Sequence, residues 1–134
     1  MNKMCLEVLI QVDPSAQGPI SPPTLKAVSN LAVREVNVEG HTAFHISTDG
    51  TCSCGLLAAG CDPESERWTF ADESLDPLAR LVEALAAKGR TFRFLARWPG
   101  AERLRLTEQS SAARFASLVR TNTVRNNVLY EVRT

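Results

Sequence analysis

Hydrophobic and polar residues alternate along the first segment of the chain. Every second residue from Met4 to Val12 is apolar, and the positions between them are more polar except for Leu9. A period of two is typical of a half-buried β-strand, because successive side chains point to opposite faces of a sheet. The strand is predicted to end at Asp13-Pro14, where the irregular stretch PSAQGPISPP begins.

Three segments repeat their apolar residues with helical spacing. The clearest spans about Leu75 to Lys88, with Asp76-Pro77 or Ser74 as its cap and Gly89 at the position of a left-handed C-terminal residue. An earlier helix is predicted to begin with Ser21 as its N-cap. A third, shorter helix is predicted within EQSSAARFASLVRT. The predicted buried stripes are Leu25, Val28, Leu31 and Ala32, then Leu75, Leu78, Leu81, Val82 and Leu85, then Ala112, Phe115, Leu118 and Val119.

Two segments have the pattern of hairpins. REVNVEGHTAFHIST predicts two short strands around a turn at Glu39-Gly40, with Phe44 and Ile46 on one face. TFRFLARWPGAERLRLT predicts a second hairpin around Pro99-Gly100. The core side of that hairpin is expected to carry Phe92, Phe94, Ala96, Trp98, Leu104 and Leu106. A final strand is predicted in NNVLYEVRT.

The order of these elements indicates the fold class. Hairpins exclude a purely parallel sheet. The sequence therefore predicts an α+β (mixed α/β) fold, with a single-layer, mostly antiparallel or mixed sheet of about five or six strands and three helices packed on it. Because no repeat or linker interrupts the chain, residues 1–134 are interpreted as one globular domain.

Composition is that of an ordinary globular protein. Hydrophobic residues make up 44% and charged residues 22% of the chain, close to the average for soluble domains. No apolar run approaches the roughly 20 residues of a spanning helix, so no membrane is expected as a partner. Because the N-terminus does not resemble an export signal, we expect a cytoplasmic location, where the four cysteines stay reduced.

The segment HISTDGTCSCGLLAAGCD holds three of the four cysteines. With a histidine they make a candidate zinc site, which needs four nitrogen or sulfur ligands in tetrahedral geometry. The spacing argues against it, because Cys-x-Cys is not the usual two-sulfur turn and no second pair follows. If the segment is extended, its first two thiol residues lie roughly 6.5–7 Å apart, and the two histidines roughly 13 Å apart. The candidate ligands are Cys52, Cys54, Cys61 and His45, with His41 as the other histidine.

Two further interpretations apply to the same segment. A redox-active or nucleophilic thiol would need a nearby cation, yet no lysine or arginine occurs between residues 35 and 66. Alternatively, CSCGLLAAGC is a turn of small residues packed under the sheet, with cysteine as a small hydrophobe. We favour this packing interpretation. The alternative is a zinc-binding or redox-active thiol protein centred on Cys52, Cys54 and Cys61.

No catalytic motif is complete in the sequence. The chain lacks GxSxG, a Walker loop and GxGxxG. His45, Ser47 and Asp49 would lie on one face of a strand, where they do not form the geometry of a hydrolytic triad. The sequence therefore favours a protein that is not an enzyme and needs no cofactor.

Charge is unevenly distributed although the net charge is zero. Residues 1–67 carry four Lys/Arg and eight Asp/Glu, a net charge of −4, and residues 68–134 carry eleven and seven, a net charge of +4. If the aromatic residues of the second hairpin face the core, the opposite face carries Arg93, Arg97, Arg103 and Arg105. Such a face suits an acidic partner. It lacks exposed aromatic residues on which bases could stack, so nucleic acid is not expected.

These observations favour a small non-enzymatic domain that binds another protein or a second copy of itself. The binding surface is expected to be the arginine-bearing hairpin face or an exposed edge of the sheet.

Overall fold

The computed structural model describes seven stretches of the chain: residues 7–13, 20–38, 41–48, 53–57, 70–97, 106–125 and 128–133. The strands within them are β1 (Glu7–Val12), β2 (Ala32–Val38), β3 (His41–Ser47), β4 (Phe92–Arg97), β5 (Leu106–Ser111) and β6 (Val128–Arg133). The helices are α1 (Pro22–Ser29), α2 (Asp72–Ala87) and α3 (Ala112–Arg120), and a 3-10 turn covers Ser53–Leu56. None of the helices in these stretches has the length and hydrophobicity needed to span a bilayer.

The strands form one mixed sheet in the order β2-β3-β1-β4-β6-β5. Neighbouring strands are antiparallel except for β5 and β6, which run parallel. The sheet does not close, so β2 and β5 are its two edges. The predicted α+β fold is therefore confirmed, with six strands in a mixed sheet and three helices among the described residues.

One face of the sheet packs against the helices. Residues on this helix-side face alternate along β1, β3, β4 and β6 and are almost completely buried: Val8, Ile10, Phe44, Ile46, Phe92, Phe94, Ala96, Val128, Tyr130 and Val132. They form one hydrophobic cluster with Leu25 of α1, Leu81 of α2 and Phe115 of α3. Full burial of each large apolar side chain stabilises the fold by about 1.5–3 kcal/mol. The opposite side of the sheet is called the far face below.

The hairpin predicted around Glu39-Gly40 is confirmed by the pairing of its strands. Strands β2 and β3 are antiparallel, and Val38 lies opposite His41, which leaves a two-residue connection. The two residues of that connection lie outside the described residues. Phe44 and Ile46 are both buried on the helix-side face, as the alternating pattern predicts.

The hairpin predicted for residues 91–107 is wrong. Strand β4 pairs with β1 on one side and with β6 on the other, so it has no free edge for β5. Strand β5 instead lies beyond β6, and α3 connects the two in a parallel crossover. Alternation shows that a segment is a strand but does not identify its neighbour. The apolar β6 occupies the interior of the sheet, and the polar β5 occupies the edge. Trp98, Leu104 and the predicted turn lie outside the described residues.

The N-terminus of α2 differs from prediction, whereas its C-terminus does not. Helix α2 begins at Asp72, so its N-cap is Ala71 and Pro77 lies inside the helix. Its C-terminus is as predicted: Gly89 has φ 69°, and its N–H donates to the carbonyl of Ala86 at 2.9 Å. Such a left-handed C-terminal residue is typically glycine because it carries no Cβ.

Helix α1 is shorter than its predicted stripe. Ser21 is its N-cap, as predicted, and a proline lies in its first turn. The helix ends at Ser29, so Leu31 is buried beyond it and Ala32 starts β2. Val28, predicted to be buried, is 40% exposed.

Helix α3 starts at Ala112. Ser111 caps it by accepting a hydrogen bond from the N–H of Arg114 at 3.2 Å. The residues EQSS, assigned to this helix from the sequence, belong to β5.

Candidate functional site

The far face of the sheet is covered over β3 and β1 and more open over β4 and β6. On β3 and β1, Ala43, His45 and Leu9 are each 5% exposed or less. On β4 and β6, Leu95 and Leu129 lie side by side and are only partly buried. The open part of this face is therefore the region in which a partner could bind.

A charged cleft lies on this open part. Its volume is about 420 Å³, and it is lined by Asp13, Thr91, Phe92, Arg93, Glu131, Val132 and Arg133. Arg93 on β4 lies opposite Glu131 on β6, with Nε and Oε2 3.6 Å apart. The Thr91 hydroxyl donates to the Asp13 carboxylate at 3.0 Å. The lining therefore carries two cations and two carboxylates.

The four charges of the charged cleft are not equally paired. Arg93 is 43% exposed and Glu131 29% exposed, so water screens their ion pair and it contributes little stability. No carboxylate among the described residues pairs with the guanidinium of Arg133, which is exposed at the end of β6. The charged cleft can therefore receive a carboxylate on Arg133 and a cationic or amide group on its acidic side.

The arginines predicted as partner-binding residues have different outcomes. Arg93 points away from the core, and Glu131 lies beside it as its neutralising partner. Arg97 stands opposite Glu7 in the register of β4 and β1, and its side chain is not described. Arg103 and Arg105 lie outside the described residues. The hairpin on which all four were expected to share a face does not form, because β6 lies between β4 and β5.

Sequence reasoning did not select Arg133. The signal was present, because Val128, Tyr130 and Val132 alternate on the helix-side face and thus place Arg133 on the far face. What the sequence did not reveal is that β6 lies directly beside β4, which brings Arg133 close to Arg93.

A second feature lies on the covered part of the far face, around His45. This residue is 5% exposed, and its Nε2 lies 3.5 Å from the hydroxyl of Ser53. Its Nδ1 is buried and has no hydrogen-bond partner among the described residues. Burial lowers the pKa of His45, the nearby charge of Arg34 lowers it further, and Glu7 opposes the shift. The ring is therefore held in its neutral form.

Ser53 fixes the 3-10 turn against the sheet at this point. Its hydroxyl accepts a hydrogen bond from the N–H of Val8 at 2.9 Å and donates to the carbonyl of Ile46. Val8 and Ile46 are opposite each other in β1 and β3, so the hydroxyl bridges the two strands at the end of their ladder. The extended conformation considered for this segment is wrong over Ser53–Leu56.

The cysteine segment is only partly described. Cys54 belongs to the 3-10 turn, next to Ser53, but its side chain is not described. Cys52 and Cys61 lie outside the described residues, and so does the side chain of His41. Across the described ranges, no three histidine, cysteine, aspartate or glutamate side chains are grouped so that they could hold a metal. The turn nevertheless places Ser53, the neighbour of Cys54 in sequence, 3.5 Å from His45, a contact that the sequence left undetermined.

Comparison of the chain with protein-family models, with curated proteins and with solved structures finds no match. Functional inference therefore depends on the chemistry of the charged cleft, the His45 region and the edges of the sheet.

Proposed function

We propose that this chain is a small non-enzymatic domain that works in the cytoplasm by binding a protein, either another chain or its own copy. The observation that carries the proposal is the charged cleft beside Leu95 and Leu129 on the open part of the far face. Partly exposed apolar residues next to charged ones are typical of protein interfaces, which combine an apolar centre with a polar rim.

The charges of the cleft favour a protein over a nucleic acid. Glu131 neutralises Arg93, and Asp13 adds a second carboxylate to the lining. A polyphosphate backbone would be repelled by these carboxylates, whereas a protein surface with charges of both signs can match them. The partner is therefore expected to present at least one carboxylate to Arg133.

Charge reversal in the cleft tests this proposal. The double variant Arg93→Glu/Arg133→Glu should abolish either the oligomer seen by sedimentation velocity or the retention of a protein on the immobilised chain. The matched control is Arg114→Glu, which reverses an exposed arginine on α3, on the helix side of the sheet. If the double variant and the control behave like the parent in both measurements, the proposed role of the cleft is wrong.

A zinc-binding or redox-active thiol protein is the second candidate function. The observation that favours it is the buried Nδ1 of His45, which has no partner in the described part of the chain and lies beside the turn that contains Cys54. A buried imidazole nitrogen without a hydrogen-bond partner is unusual and is a suitable ligand atom for zinc. We infer that this function, if present, uses His45 together with Cys52, Cys54 and Cys61.

Elemental analysis of tag-free protein purified without chelator tests the metal version. About one zinc per chain is expected if this candidate is right, and the variant Cys52→Ser/Cys54→Ser should then lose zinc and unfold much more easily. Protein without zinc, with thiols that react only after unfolding, would contradict the metal version and favour buried packing cysteines.

A further inference from the structure

Strand β2 is an edge of the sheet, and its outward backbone groups can be identified. The carbonyl of Ile46 points toward β1, where it accepts from the hydroxyl that Val8 also contacts. In an antiparallel strand, the backbone N–H and C=O of one residue point toward the same neighbouring strand. This direction alternates from one residue to the next. Residues 42, 44 and 46 of β3 therefore face β1. Their opposite positions on β2, residues 33, 35 and 37, direct their N–H and C=O groups to the outer edge.

Outward-directed residues occur only at every second position of β2, and this limits how two copies of the strand could pair. A symmetric antiparallel pair must join outward-directed residues to outward-directed residues, because only these can exchange hydrogen bonds. Arg34 of one copy therefore cannot lie opposite Glu35 of the other. The twofold axis must therefore lie between one residue and the same residue of the other copy. That residue is described as lying on the axis. The registers that overlap at least five of the seven residues of β2 place Arg34, Glu35 or Val36 on that axis.

Charge selects one of these three registers. With Arg34 on the axis, two guanidinium groups are directly opposite each other. With Glu35 on the axis, two carboxylates are opposite each other. Both side chains are exposed, and like charges directly across a strand pair are destabilising. With Val36 on the axis, two half-buried valines meet and Glu35 lies opposite the amide residue Asn37.

Two further observations favour a second copy of the chain on this edge. The net charge of the chain is zero, so two copies do not repel each other as whole molecules. The other edge strand, β5, is polar throughout from Thr107 to Ser111. Over those five residues it offers no apolar contact of the kind that Val33 and Val36 provide on β2.

We infer that two copies of this chain pair antiparallel through β2, with Val36 on the twofold axis, to form one continuous sheet. The inference rests on the proposed function in one respect: self-association is one of the two kinds of protein binding proposed there. It uses a different surface from the charged cleft.

Sedimentation equilibrium of the full chain and of two edge variants tests the pairing. Glu35→Pro removes an outward N–H and leaves the ladder to β3 intact, because Glu35 does not exchange hydrogen bonds with Phe44. Val36→Lys places two like charges on the axis and serves if the proline variant does not fold. Thr107→Lys is the matched control, because it adds the same charge to the other edge strand.

The parent and Thr107→Lys should approach twice the mass of one chain as concentration rises. Each edge variant should weaken the dimer by about tenfold or more. A parent that stays monomeric at the highest attainable concentration would overturn the inference, as would a dimer that survives Val36→Lys. Binding that responds only to Arg93→Glu/Arg133→Glu would overturn the edge pairing and support the cleft. A dimer lost only in the edge variants would support the edge pairing, and the binding of another protein by the cleft would then be tested by the retention measurement.

Discussion

The two halves of the sheet are held in place by different means. In the half formed by β4, β6 and β5, the crossover helix α3 packs on the sheet and on α2, where Arg120 donates to both carboxylate oxygens of Glu83 at 2.8 and 2.9 Å. Asn122, at the end of α3, exchanges two hydrogen bonds with the backbone of Phe70. In the half formed by β2, β3 and β1, the shorter helix α1 packs on the sheet through Leu25, the hydroxyl of Ser53 bridges two strands, and the edge carries valines.

This difference indicates where stability and association should reside. Helix packing in the first half buries large aromatic side chains, so substitutions there should affect folding. The half that ends in β2 presents apolar residues and outward backbone groups at its edge, so substitutions there should affect assembly. Substitutions in the two halves, taken from the largest expected effect to the smallest, test whether stability and assembly are separated in this way.

Phe115→Ala should have the largest effect on folding. The Phe115 side chain is completely buried, and its ring centroid lies 4.9 Å from those of Phe94 and Tyr130. Removing it leaves a cavity between α3 and the sheet, which should cost about 3–5 kcal/mol in the free energy of unfolding. Urea denaturation measures the loss. A loss no larger than that of Leu129→Ala, on the far face, would contradict the central role of helix packing.

Ser53→Ala tests the other half of the sheet. The substitution leaves the N–H of Val8 and the carbonyl of Ile46 without the hydroxyl that bridges them. Burying unsatisfied groups should cost about 1–3 kcal/mol in the free energy of unfolding. Ser110→Ala on β5 is the control, because that hydroxyl contacts only the exposed carbonyl of Ser111 among the described residues. Equal losses from the two substitutions would show that the bridge is not important.

His45 should make the same half sensitive to pH. Burial and the nearby charge of Arg34 lower the pKa of His45 in the folded protein below 6.5. The unfolded chain therefore binds a proton first as the pH falls. The contribution of neutral His45 is present above pH 6.5 and is lost as the pH falls from there toward the folded pKa.

Urea denaturation across this pH range, with the His45→Gln variant as a control, measures the effect. Stability of the parent should fall more steeply with decreasing pH than that of the variant. Identical pH profiles would contradict the buried, neutral state of the ring.

Arg114→Glu should produce the smallest change, and it should be stabilising. Arg114 occupies the third position of α3, and its N–H already donates to the N-cap Ser111. Glutamate there completes a capping box and places a negative charge at the positive end of the helix dipole. The gain should be about 0.5 kcal/mol, measured as a higher melting temperature. A decrease would indicate that the guanidinium of Arg114 makes a favourable contact of its own.

The parts of the fold that depend on local patterns could be predicted from the sequence. The hairpin of β2 and β3 follows from alternation around a two-residue turn, and Gly89 follows from the end of an apolar stripe. The position of β6 between β4 and β5 could not be predicted. The order of strands in the sheet depends on contacts between residues that are far apart in sequence, and a local pattern does not contain these contacts.

In the candidate site, too, some features could be predicted from local sequence patterns and others could not. The outward direction of Arg93 could be read from the buried residues that alternate with it. The bridge made by Ser53 could not, because it joins that residue to Val8, 45 positions earlier. Arg133 enters the cleft only because its strand pairs with β4.

Cysteine cross-linking across β2 tests most directly whether the chain associates through this edge. Val36 does not exchange hydrogen bonds across the proposed pair, so the two copies should approach to a Cα separation of about 4.5 Å, within the range of a disulfide. Oxidised Val36→Cys should give covalent dimer well above the level formed by the native cysteines of the parent. Arg34→Cys and Glu35→Cys should not. Absence of that dimer, or stronger cross-linking at either neighbour, would contradict the proposed pairing.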